Sequence, residues 1–164
     1  MVEILDAPPC ARFVLRCDPR EAPLAGAAFG IALPLARGQT VEAGPRAALW
    51  LGPDEWLLLA EPGADLAAVP NLAAIAHSLV DLSDAQVALV LHGPGAARLL
   101  SAGCPLDLHG AAFPAGMATR TVLGRVGITL WRRGAQEWRL EVGRSLAVHA
   151  REFLAEAARG LPAF

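Results

Sequence analysis

The sequence predicts an α+β protein built from two ferredoxin-like strand-helix-strand-strand-helix halves. Three observations carry this reading. A strand-turn-strand stretch around a tryptophan pair occurs twice. Each copy follows strand and helix signals and precedes an Ala-rich helical segment. With 164 residues and 54% hydrophobic content, the chain can fill the core of one compact unit, 1–164, holding pseudo-repeat halves at about 12–77 and 78–160. Helices are expected on one face of largely antiparallel sheets.

The elements follow in order. Residues 1–11 contain Pro8 and Pro9 and read as an irregular arm. Arg12–Cys17 is a strand with Phe13, Leu15 and Cys17 on one face. Asp18-Pro19 opens a helix near 20–29, because Asp caps free amides and Pro suits the first turn. Gly30 ends it, Ile31–Pro34 is extended, and residues 36–45 form a loop around Gly38, Gly44 and Pro45. The first tryptophan hairpin has strands near 46–51 and 55–60, joined by Gly52-Pro53-Asp54. Residues 64–76 are helical, with Pro70 forcing a break or a second helix start.

The second half repeats this order. His77–Leu82 is extended, Ser83-Asp84 turns the chain, and Gln86–Leu91 is a buried strand. Gly93-Pro94-Gly95 leads into a helix whose Ala96, Leu99, Leu100 and Gly103 share a face. After a loop at 109–117 come strands near 118–124, 127–133 and 137–142. In the last, Trp138, Leu140 and Val142 alternate with Arg139 and Glu141, a half-buried pattern. Ser145 caps a final helix with Leu146, Ala150, Phe153, Leu154 and Ala157 on one face, and Gly160 with Pro162 stops it.

Composition excludes several functions. The net charge is −2, all fourteen basic residues are Arg, and no basic tract exists, which disfavours nucleic acid as a partner. Charged residues make up 18%, against roughly 25% on average, so part of the surface is expected to be covered by a partner. Cys10, Cys17 and Cys104 form no CxxC pair and imply neither a disulfide framework nor a zinc site. The start Met1-Val2-Glu3-Ile4-Leu5-Asp6 lacks signal-peptide character, and charges or prolines interrupt each apolar run. A cytoplasmic protein without membrane contact is expected.

Candidate chemistry is sparse. Asp81, Ser83 and Asp84 place two carboxylates and a hydroxyl at a strand end, where they bind a polar ligand or serve the turn. Gly93-Pro94-Gly95 could offer amides to an anion, but matches neither GxGxxG nor a Walker sequence. His77, His92, His109 and His149 lack metal-ligand spacing. No GxSxG occurs, and Cys104 is a weak nucleophile candidate. Trp50, Trp56, Trp131 and Trp138 could stack a ligand, yet their symmetric placement suits packing. Arg132, Arg133 and Arg144 could pair with a partner's carboxylates. By residue chemistry alone, the chain is an α+β duplication without an evident catalytic residue.

An ordered set of segments adds a resemblance. It comprises Val80-Asp81-Leu82-Ser83-Asp84, Val87–Leu91, Gly93-Pro94-Gly95-Ala96 with Leu99-Leu100, and Cys104-Pro105-Leu106-Asp107-Leu108-His109. Phe113 with Gly116, Leu123-Gly124-Arg125 before Leu130-Trp131, and Arg144-Ser145-Leu146-Ala147 complete it. In this order they closely resemble the gamma subunits of heterotetrameric sarcosine oxidases, over roughly residues 46–159 and most strongly from 78 onward. That family is similar in fold to the folate-binding part of the glycine-cleavage aminomethyltransferase, where an Asp-x-Ser strand, Gly-Pro-x-Ala and a helix recur.

The resemblance implies a non-catalytic subunit of a complex that oxidatively demethylates sarcosine to glycine. Alpha, beta and delta subunits would be its partners. NAD, FAD, FMN and tetrahydrofolate would reside on those partners and none on this chain, with peroxide and methylene-tetrahydrofolate as products of the whole complex. The aminomethyltransferase presents a carboxylate on a Gly-Gly-Ile-x-Asp-like strand, whereas this chain has Thr129 or Leu130 there and no acid between Asp107 and Glu137. The alternative is a stand-alone folate-binding or aminomethyltransferase-like one-carbon protein, with Asp81, Ser83 and Asp84 at a folate-like cleft. A scaffold unrelated to sarcosine is a third reading. For assembly, the 1–11 arm and the Leu106–Met117 loop are the expected contact surfaces.

Overall fold

The computed structural model describes residues 1–160. Packing divides the chain into two units: Pro9–Asp84, and Met1–Pro8 together with the chain from Ala85 onward. Each has a five-stranded antiparallel sheet with helices packed on one face, as the α+β reading requires.

The first strand, β1 (Glu3–Asp6), belongs to the second unit. The first unit runs β2 (Ala11–Cys17), α1 (Ala22–Phe29), β3 (Thr40–Ala43), β4 (Arg46–Gly52), β5 (Glu55–Ala60), α2 (Pro70–Ala73) and β6 (His77–Asp81), with sheet order β3-β4-β5-β2-β6. Asp18 caps the turn ahead of α1 by accepting from Arg20 N at 2.9 Å. Gly30 closes α1 in the left-handed region at φ 92°, donating to Gly26 O. Trp50 pairs with Trp56 across the hairpin, and Trp56 Nε1 donates to Pro34 O at 2.7 Å in the interior. Phe13, Leu15, Trp56 and Leu58 meet Phe29, Leu33, Leu66 and Leu72 to form the core. Arg46 fastens helix to hairpin. Its guanidinium bonds the Phe29 carbonyl and the Glu61 carboxylate, and that bond holds the Glu61 carboxyl down at about 2.

The second unit runs β7 (Gln86–His92), α3 (Ala96–Leu100), β8 (Met117–Leu123), β9 (Val126–Arg132), β10 (Glu137–Gly143) and α4 (Ala147–Arg159), with sheet order β1-β7-β10-β9-β8. Trp138 is fully buried, with its ring centroid 5.3 Å from that of Phe113 and the Arg132 guanidinium 5.0 Å away. Leu89, Leu91, Leu130, Leu140 and Val142 close the core against Leu99, Leu100, Ala150 and Leu154. The expected helix stop at Pro162 lies outside the described residues.

Several local expectations change. The N-terminal arm contains a strand: Glu3 to Asp6 pair with His92 to Leu89, and Arg151 on α4 bonds the Asp6 carboxylate. Within the expected 36–45 loop, Thr40–Ala43 pairs with β4. The expected 64–76 helix shrinks to one turn, α2. Pro70 lacks an amide proton and pushes Val69 to ψ 110°, so the segment forms short i→i+3 bonds such as Val69 N to Leu66 O. β6, at the join of the two sequence halves, pairs with β2. β6 thus completes the sheet of its own unit, whereas β1 joins a sheet whose other strands all lie beyond the first unit in sequence.

Gly103 is a close-packing point. A Cβ there would lie 2.6 Å from Phe153 Cζ and 2.8 Å from Gly124 N. Gly103→Ala is expected to cost about 1–3 kcal/mol, read as a lower urea midpoint at unchanged m-value.

Candidate functional site

Asp81, Ser83 and Asp84 sit where β6 ends. Asp81 Oδ1 accepts from Ser83 N at 2.8 Å, forming a side-chain turn. Ser83 Oγ accepts from Arg12 N at 3.0 Å, and Leu82 N donates to Arg12 O at 2.8 Å. The tripeptide thus satisfies both backbone groups of Arg12 and extends the β6–β2 ladder. Hydrogen bonds from the Ser83 side chain and backbone hold the exposed Asp81 carboxyl below its ordinary range. A lowered carboxyl is a poor proton shuttle near neutral pH.

The Gly93-Pro94-Gly95 turn is occupied by the protein itself. A Cβ at Gly93 would collide with the Met1 carbonyl, and one at Gly95 would lie 2.9 Å from Val2 Cγ2. Its glycines admit the segment leading into β1. The helix that follows has only five residues, too few to build an anion site on its dipole.

The other candidates also have structural partners. His77 Nδ1 is 2.9 Å from Ile75 O, and His109 Nδ1 accepts from Ala111 N at 3.2 Å. Among the described residues, no three His, Cys, Asp or Glu side chains converge for a metal. Cys104 is buried, and burial pushes the Cys17 thiol up, away from the reactive thiolate. Arg132 donates to the carbonyls of Phe113, Gly134 and Ala135, and Arg133 pairs with Glu137 at 2.7 Å. Within the Leu106–Met117 loop, Leu108 and Phe113 are spent on the core.

The strand comparison with the aminomethyltransferase needs one correction. Leu130 points into the core, while Thr129 lies on the face away from α3 and α4. On that face regular pairing places Thr129 between Arg120 of β8 and Glu141 of β10. A carboxylate therefore does stand beside Thr129, delivered by the neighbouring strand. Glu141 is 2% exposed, and its Oε1 accepts from Arg139 Nε at 2.6 Å. Gln86, Arg120, Thr121, Gly127, Ile128, Thr129, Glu141 and Gly143 line a hollow of about 270 Å³. The alternation along β10 predicts a half-buried strand, but the structure buries Arg139 and Glu141 on the second face as well. Their position among neighbouring strands is tertiary information.

With this geometry in place, similarity to known proteins first defines the class. Glycine cleavage system aminomethyltransferase T from Bartonella henselae superposes with a TM-score of 0.68 over 93% of this chain and 45% of that one, at 17% identity. The fold is that of the folate-binding aminomethyltransferases. More specific likenesses follow. Residues 16–159 match the sarcosine oxidase, gamma subunit family. The sarcosine oxidase subunit gamma of Corynebacterium sp. (strain P-1) is 41% identical over 113 residues, 68% of this chain and 56% of that protein. A chain of the heterotetrameric sarcosine oxidase from Corynebacterium sp. U-96, in complex with pyrrole 2-carboxylate, superposes with a TM-score of 0.91. That match covers 99% of this chain and 86% of the other, at 34% identity. This chain belongs to the sarcosine oxidase gamma subunit family, and the match spans just over half the length of the curated Corynebacterium relative.

The Arg139–Glu141 pair yields a stability test. Glu141→Gln leaves the buried Arg139 without its carboxylate and is expected to cost about 3–5 kcal/mol. Arg139→Met with Glu141→Leu should recover most of that loss in urea unfolding, because both buried charges are then removed together.

Proposed function

We propose that this chain is the gamma subunit of a heterotetrameric sarcosine oxidase and that it serves assembly. The observation that carries the reading is its superposition on a chain of such a complex over 99% of its length, at 34% identity. Its partners are the alpha, beta and delta subunits. The complex oxidatively demethylates sarcosine to glycine. NAD, FAD, FMN and tetrahydrofolate, held by the partners, supply the electron transfer to oxygen and the uptake of the one-carbon unit. The complex is cytoplasmic, and no helix among the described residues is long and apolar enough to cross a membrane.

The chain's own residues favour that division of labour. A dinucleotide needs a glycine-rich turn open to pyrophosphate, and the Gly93-Pro94-Gly95 turn is filled by Met1 and Val2. Asp81 and Ser83 are engaged in their own turn. Exposed apolar side chains remain for contact, notably Leu24 and Leu35. β1 completes a sheet of this chain, so removing it would damage the fold before it tested assembly.

Co-expression with the candidate alpha, beta and delta subunits tests the proposal. The chain is expected to co-purify stoichiometrically, to be colourless alone, and to be required for full sarcosine-dependent peroxide formation. A fully active complex that forms equally well without this chain would refute it.

A further inference from the structure

We draw no further inference here: the strongest candidate, the apolar groove of about 550 Å³ between α1 and the 31–35 segment of the first unit, lined by Pro23, Ala27, Ile31 and the exposed Leu35, is an unpartnered face, and nothing in the structure shows what covers it.

Discussion

The second unit depends on β10. This strand is central in its sheet, between β7 and β9, and its alternation assigns each side chain to a face. Trp138, Leu140 and Val142 enter the core against α3 and α4. A fully buried side chain of this size contributes roughly 1.5–3 kcal/mol. Arg139 and Glu141 take the opposite face and are also buried. A slip of one residue would bring the two charges into the apolar core and turn the tryptophan out. The requirement that fixes the register therefore also places Glu141 beside Thr129.

The placement of β1 constrains the chain differently. β1 precedes the whole first unit in sequence yet pairs with β7, whereas β6 pairs with β2 inside its own continuous segment, Pro9–Asp84. The second sheet is therefore the one that cannot be completed from one continuous segment. The turns at Pro8-Pro9 and Leu82–Asp84 are thus part of the architecture, and their polar residues are explained by it. Arg12 shows this directly, since its amide and carbonyl are satisfied by Ser83 and Leu82.

Much of the fold was legible where the signals are local. Both tryptophan hairpins, the strands at 12–17 and 86–91, and the final helix follow from alternation, turn residues and helical spacing. β1 was not legible, because four residues next to two prolines become a strand only through pairing with residues 89–92. β3 is similarly short and mixed in character, and β4 stabilises it. The 64–76 segment misleads by composition, because Ala and Leu favour a long helix, of which only the turn that starts at Pro70 forms. The Asp81-Leu82-Ser83-Asp84 cluster was visible as residues, and the structure supplies the bonds of its turn. Glu141 was visible only as half of an alternation, since its neighbours Thr129 and Arg120 come from other strands.

The conspicuous motifs are thereby absorbed into the fold. The Gly-Pro-Gly turn receives Met1 and Val2, the Asp-x-Ser strand end secures β2, Trp50 pairs with Trp56 across its hairpin, and Trp138 fills the core of the second unit. What distinguishes the chain functionally is its family and its near-complete superposition on one chain of a larger enzyme. Native mass spectrometry of the complex purified from its own cells tests this most directly. The account predicts one copy of this chain bound with three larger or smaller partner subunits in a single heterotetramer. Finding the chain only as an unattached monomer would contradict it.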